Sequence, residues 1–281
     1  MSEASKELFI SQPGLTTSIR ELETEMGIKI FTRTNKGVVT SNEGERFLGY
    51  ARQVLEQASL LEGVYKSGTK IKQQFCVSTQ HYSFAVNAFV DLIRRFAGEE
   101  YDFSLRETET YEIIDDVAKM KSEIGILYLN SFNKDALMKI IKSKLLTFTE
   151  LFTAKPHVFV STDHPLADKK SVTMEELADY PYLSFEQGEH NSFYYSEEIF
   201  STVGRTKNIR VTDRATLFNL LIGLNGYTVC SGVIDNELNG DNITAIPLDE
   251  EGNMKIGYIE NKKILHSNLA EAYIEALKKH I

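Results

Sequence analysis

The segment SQPGLTTSIRELETEMG at residues 11–27 constrains the chain more than any other. Ser11 can cap a helix, and Pro13 suits its first turn, where the missing N–H would have had no partner in any case. Leu15, Ile19, Leu22 and Met26 recur at spacings of four, three and four, which makes one apolar stripe, and Gly27 supplies a left-handed stop. Opposite that stripe stand Gln12, Thr16, Thr17 and Arg20, all of them hydrogen-bonding side chains. A short helix over residues 3–9 precedes the segment through a tight turn. Two helices joined this way, the second presenting polar groups from its N-terminal half, have helix-turn-helix geometry.

The next residues predict a wing. Residues 28–31 form a short strand, Asn35-Lys36-Gly37 a turn and residues 38–39 a return strand, with Arg33 and Lys36 near the tip suited to phosphates or the adjacent minor groove. Thr40 and Glu43 make a capping box that opens a long helix. Its apolar positions are Phe47, Ala51, Val54, Ala58, Leu61 and Tyr65, a heptad seam suited to pairing with a second chain.

Charge divides the chain at the same place as pattern does. The total of 31 Lys+Arg against 40 Asp+Glu gives −9 over 281 residues, which argues against a surface that grips nucleic acid throughout. Residues 1–72, however, carry 10 cations against 9 anions, and the acidity belongs to the remainder, 21 against 31. The boundary falls in the polar stretch at residues 66–74. No window holds the ~18–20 apolar residues of a membrane span, and the first 11 residues lack the basic and apolar regions of a signal peptide. Cys76 and Cys230 are too few for a disulfide framework or a four-ligand zinc site and are expected to be buried thiols. A cytoplasmic protein is expected.

From residue 74 onward short strands alternate with helices. The predicted order is FCVST, a helix over 83–97, DFSLRET, a helix over 110–121 and EIGILYL. A second set follows: HVFVST, a helix near 174–178, YLSFE, a helix over 193–203, IRVTD, a helix over 215–224 and YTVCSG. This alternation implies parallel strands with right-handed crossovers, an α/β unit in two subdomains. A closing helix over 268–280, with Leu269, Tyr273, Ala276 and Leu277 on one stripe, is expected to return to the first. Open α/β sheets bind ligands in the crevice beyond the carboxyl ends of their strands. Enzyme motifs are absent: there is no GxSxG elbow, P-loop, HExxH or GxGxxG, and the six histidines show no i, i+4 pairing. Asp115-Asp116 and residues 249–251 read as solvated acidic surface and His164 as structural. No metal, cofactor or catalytic residue is expected.

The ordered run from Ser11-Gln12-Pro13 through Leu15, Ile19, Leu22-Glu23, Gly27, IKIF, Arg33, Val39-Thr40 and Glu43-Gly44 resembles the winged helix-turn-helix of LysR-type transcriptional regulators. The remainder, including DHPLA at residues 163–167 and the GYTVCSG strand, is similar to the periplasmic-binding-protein-like effector domain of the same regulators. The resemblance implies a DNA-contact set of Ser11, Gln12, Pro13, Thr16, Thr17, Arg20, Arg33 and Lys36. It also implies effector contacts at the first strand end, Ser78, Thr79, Gln80 and His81; Ser184 and Glu186 at the end of YLSFE, Thr216 at the start of the helix after VTD, and Gly125 after a strand edge are added from their places in the topology. Because these candidates hold no Arg or Lys, the expected effector is small and polar or monoanionic. The implied organisation is a partial DNA-binding domain over 1–40, a dimerisation and linker helix over 41–72 and an effector domain over 73–281. Its first subdomain takes 73–153 and 254–281, its second 154–253. The expected partners are duplex DNA and further copies of the chain, as a homodimer or homotetramer, and no membrane.

Two departures qualify the likeness. Relatives usually begin with a helix ahead of residues 4–9, so the expectation is a late-called or truncated start that uncovers Leu8, Leu15, Ile19 and Leu22. Thr17 stands where relatives often carry a longer, basic side chain, so base preference does not carry over. The alternatives are a small-molecule-binding protein that has lost DNA binding, and an enzyme on the same scaffold.

Overall fold

The computed structural model describes residues 2–34, 37–66, 73–96, 98, 100–234 and 240–281. The chain divides into two compact units, 1–71 and 72–281.

The first unit runs α1 (Ser2–Glu7), α2 (Gln12–Met26), β1 (Phe31–Thr34), β2 (Gly37–Thr40) and α3 (Asn42–Lys66). Ser11 caps α2, its hydroxyl accepting the Gly14 N–H at 3.2 Å, and Gly27 closes the helix at φ 66°. The apolar stripe is not what anchors α2: Leu15, Ile19 and Leu22 are half-buried and Met26 is exposed. The buried side chain is Glu23, whose carboxylate accepts the N–H groups of Ile30 at 2.8 Å and Phe31 at 3.0 Å and the Lys29 ammonium at 3.1 Å. Those bonds commit residues 29–31 to α2, so the hairpin begins at Phe31, opposite Thr40, and not at residue 28. The long helix is capped by Ser41 in place of the expected Thr40–Glu43 box. The Ser41 hydroxyl accepts the Gly44 N–H at 2.9 Å and donates to the Lys29 carbonyl. Gly44 is required there, because a Cβ would lie 2.2 Å from the Ile30 carbonyl oxygen. Along the expected seam Phe47 and Ala51 are half-buried and Val54 is exposed, while the side chains of Leu61 and Tyr65 lie outside the described ones.

The second unit continues with β3 (Gln73–Thr79), α4 (Ser83–Phe96), β4 (Tyr101–Glu107), α5 (Thr110–Ala118), β5 (Ile124–Leu129), α6 (Lys134–Ser143) and β6 (Leu146–Ala154). Then come β7 (His157–Ser161), β8 (Tyr182–Phe185), β9 (Asn208–Val211), α7 (Arg214–Leu224), β10 (Thr228–Cys230), β11 (Ile243–Pro247), β12 (Met254–Asn261) and α8 (Asn268–Leu277). The first lobe is a five-stranded sheet in the order β4-β3-β5-β12-β6. Its β3 pairs in parallel with β4 and β5, whereas β12 is antiparallel to both neighbours. The second lobe holds the antiparallel set β10-β7-β11 and the parallel pair β8-β9. The alternation thus yields parallel pairing within each lobe, and antiparallel β12 brings the chain back after its excursion through the second. Strands β6, β11 and β12 and helix α6 were not foreseen from the sequence.

Helix α4 buries Phe84, Ala85, Ala88, Phe89 and Leu92, at spacings that keep one face inward. Helix α8 buries all four residues of its predicted stripe and packs on α4, the Tyr273 hydroxyl donating to the Ala85 carbonyl at 2.9 Å. Each large side chain so buried contributes about 1.5–3 kcal/mol. The expected helices near 174–178 and over 193–203 are turns, with a single 3₁₀ turn at Phe193–Tyr195. The side chains of the latter segment are spent on contacts across the lobes. Asp115 and Asp116, read as solvated, are both buried: Asp116 accepts from Ser78 at 2.8 Å and Arg106 at 2.9 Å. Both cysteines are free and half-buried. Among the described residues no helix is long and apolar enough to cross a membrane.

Candidate functional site

In the second unit the carboxyl ends of β3 and β8 meet. His81, just past β3, donates its backbone N–H to Glu197 at 3.0 Å, and its ring Nδ1 lies 2.9 and 3.1 Å from the two oxygens of that carboxylate. The same ring stacks on Phe185, at the end of β8, with centroids 3.7 Å apart. Gln187 spans the lobes: its amide donates to Glu197 at 3.2 Å and its carbonyl accepts the Thr110 N–H, at the start of α5, at 3.0 Å. Arg214 at the start of α7 pairs with Glu107 at the end of β4, at 2.9 Å. Toward the rim Tyr111 stacks on His190 at 3.5 Å and Phe132 on Tyr194 at 4.8 Å. With the lobes joined in this way, the cavity between them is about 40 Å³, room for a few waters and no more.

Polar and apolar groups share its walls. His81, Glu197, Glu198, Arg214, Thr228 and Ser231 face Phe159, Phe185, Leu217, Phe218, Val229 and Met254. Burial pushes the Glu198 carboxyl up to about 8, the neighbouring Glu197 charge adds to it, and the Phe185 N–H donated to Glu198 at 2.8 Å offsets only part. Burial and the neighbouring carboxylate thus favour the protonated form of Glu198. Burial opposes charge on His81, but the Glu197 carboxylate outweighs it and raises the imidazole above its ordinary value. Burial also raises Glu107, against the pull of Arg214. The Cys230 thiol is pushed up by burial, opposite to an activated nucleophile. Among the described residues no group of three or more His, Cys, Asp or Glu could hold a metal ion.

The structure separates the expected effector residues. Of these, His81 lines the cavity. Gln80 is 1% exposed and committed inside its own lobe, donating to the Thr110 hydroxyl at 2.6 Å and accepting from the Tyr128 N–H at 3.1 Å. The Thr79 hydroxyl donates to the Gln80 carbonyl at 2.7 Å, and Ser78 belongs to the Asp116 network. Gly125 sits inside β5, where a Cβ would come within 2.8–2.9 Å of Ile113, Ile259 and Val117, so its place is a close approach of strand and helix. Ser184 is half-buried in β8; Glu186 and Thr216 are exposed, the Thr216 N–H being taken by the Asp213 cap at 2.8 Å. Sequence reasoning missed Glu107, Phe185, Gln187, Glu197, Glu198 and Arg214. The one available signal was the Glu197-Glu198 pair enclosed by the aromatic run FYYSEEIF. The monoanion expectation rested on candidates without Arg or Lys. Arg214 does line the cleft, and three carboxyl groups come with it.

In the first unit the face of α2 opposite its stripe leaves Gln12, Thr17 and Arg20 exposed, with Thr16 half-buried and its hydroxyl donating to the Gln12 carbonyl at 2.9 Å. Ser11 is occupied with capping, and Pro13 stands exposed in the first turn. Arg33 lies in β1 with its side chain outside the described ones, and Lys36 falls outside the described residues.

Comparison with known proteins agrees with this division. The family model of the LysR substrate binding domain matches residues 77–281, and that of the bacterial regulatory helix-turn-helix proteins of the lysR family matches residues 1–45. The chain belongs to the LysR family. It is 28% identical over 187 residues to the uncharacterized HTH-type transcriptional regulator YnfL of Escherichia coli strain K12, covering 65% of this chain and 59% of that protein. It is also 28% identical over 192 residues to the HTH-type transcriptional regulator CysB of Burkholderia cenocepacia, covering 66% and 58%. The matches thus span about three fifths of the length of these curated relatives. In fold it is similar to full-length BenM, with a TM-score of 0.50 at 20% identity, covering 99% of this chain and 90% of that one. A hydrogen-peroxide-bound mutant of Corynebacterium glutamicum OxyR gives 0.51 at 17%, covering 99% and 88%.

Proposed function

We propose that this protein is a transcriptional regulator that binds operator DNA through its first unit and a small polar effector in the cleft of its second. The observation that carries the reading is the presence in one chain of a helix-turn-helix match at residues 1–45 and a substrate-binding-domain match at residues 77–281. The exposed groups of α2, Gln12, Thr17 and Arg20, are the base- and phosphate-reading candidates, and Arg33 of β1 is a candidate for the flanking backbone, as Lys36 is from sequence alone. Helix α3 exposes Tyr50, Val54 and Leu55, an apolar strip that a second copy would cover, giving a dimer with two recognition helices on a dyad. The reading is of a cytoplasmic regulator rather than an enzyme, and the raised Cys230 thiol, opposite to an activated nucleophile, supports it. Effector entry exchanges the contacts that join the lobes, and the change in lobe orientation alters how the subunits hold DNA. A thermal-shift screen identifies a ligand, and DNase footprinting with and without it tests the reading. A changed footprint supports it, and identical footprints count against it.

A further inference from the structure

Glu197 and Glu198 are consecutive carboxyl groups that both line the cleft, at 7% and 3% exposure. Glu197 is held by His81 and Gln187, and Glu198 by the Phe185 N–H. On the cationic side stands Arg214, whose Nη2 is already paired with Glu107 and whose Nη1 is buried without a hydrogen-bond partner. With Glu198 in its neutral form, the Glu107 and Glu197 carboxylates balance the cations His81 and Arg214, so an added ammonium finds in Glu198 a further carboxyl able to ionise against it, while an added anion finds no further cation. Phe159, Phe185, Leu217, Phe218 and Met254 supply a hydrocarbon surround with aromatic faces, which suits an apolar body and favours a cation beside it.

We propose that the occupant of this cleft is an organic ammonium ion on a compact apolar body, its charge received by Glu197 and Glu198. The inference rests on the cleft being the effector site. Burial beside another carboxylate favours the protonated form of Glu198. An ammonium group reverses that balance: Glu198 passes its proton to solvent, its carboxylate accepts the ammonium N–H, and His81 gives up part of its hold on Glu197.

The test is isothermal titration of the full chain at pH 7 with two amine–carboxylate pairs of equal carbon body, isobutylamine with isovalerate and phenethylamine with 3-phenylpropanoate. Runs in phosphate and in Tris, whose ionisation heats differ, count protons. Binding by an amine but not by its carboxylate partner is expected, with close to one proton released. Glu198→Gln, isosteric with the protonated acid and checked for folding by circular dichroism, should abolish the release and weaken the amine at least about tenfold, the worth of one charge-assisted hydrogen bond. Glu198→Asp should restore the release. Tighter binding by the carboxylates, lost in Arg214→Ala, would leave the cleft reading standing and overturn the amine. Amine binding that is unchanged in Glu198→Gln would place the ligand outside the cleft and overturn both. Absence of binding by either amine at millimolar concentration also overturns the amine class.

Discussion

The Nδ1 atom of His81 lies 2.9 Å from a carboxylate oxygen of Glu197, with both side chains almost wholly buried and drawn from opposite lobes of the second unit. A buried ion pair of this kind is weak evidence for stability, since desolvation offsets much of the attraction, but breaking it strands a charge. Loss of one partner is therefore costly while loss of both is not.

Replacing His81 alone should be severe. His81→Ala leaves Glu197 buried and uncompensated, and urea unfolding at pH 6 should show a loss of about 3–5 kcal/mol. The double variant His81→Ala/Glu197→Gln should cost less than the sum of the single changes, because no charge is left stranded. Additive effects would mean that the pair is not coupled. The raised imidazole sets the sign with pH: the stabilisation is full below about 6.5 and lost as pH climbs through the folded value.

Glu198 should leave a separate mark on the pH profile. Its folded value of about 8 lies above the ordinary 4.5, so between those values the folded chain keeps a proton that the unfolded chain has released. Stability then falls with rising pH, by roughly 1.4 kcal/mol per unit through the middle of the window. Denaturation of Glu198→Gln from pH 5 to 8 should lack that slope, and parallel profiles for the two proteins would refute it.

Glu23 gives the opposite sign in the first unit. Hydrogen bonds from the Phe31 N–H and the Lys29 ammonium hold its carboxylate below the usual range. The stabilisation is present above the ordinary 4.5 and lost as pH falls through the folded value. Glu23→Ala should release the hairpin from α2, lowering the melting temperature of the first unit and weakening DNA binding, as followed by circular dichroism and fluorescence anisotropy. A variant that melts and binds like the parent would exclude this role.

Arg20 should read as a DNA contact. Arg20→Ala should weaken operator binding by about 1–3 kcal/mol if it reaches a base edge, or lower the salt slope by roughly 1 if it reaches a phosphate. An unchanged affinity with an unchanged slope would remove it from the interface.

What the sequence made legible depended on how local the signal was. The Ser11 cap, the Gly27 stop and the stripe of α8 are set within a few residues, and each stands where spacing put it. The Ser41 cap was misplaced by one residue because the hydroxyl's second partner, the Lys29 carbonyl, is 12 residues away in sequence. The anchoring role of Glu23 was not legible, because its partners Ile30 and Phe31 meet it only after the chain turns. The cleft was the least legible part. His81 was found from the strand end, whereas its partner Glu197 is 116 residues distant and sits in a segment whose helical spacing concealed an irregular loop. Ser78 and Thr79 looked like ligand groups for the same reason that they are useful inside: short hydroxyls at a strand end serve interior acceptors equally well.

DNA reading is tested most directly by a selection of duplexes from a random pool by the purified protein. The expected result is an enriched motif of two inverted half-sites spaced about 10 base pairs or a multiple of that, as paired recognition helices require, whose enrichment fails with Arg20→Ala. Recovery of no motif above non-specific background would contradict a DNA-reading function for this protein.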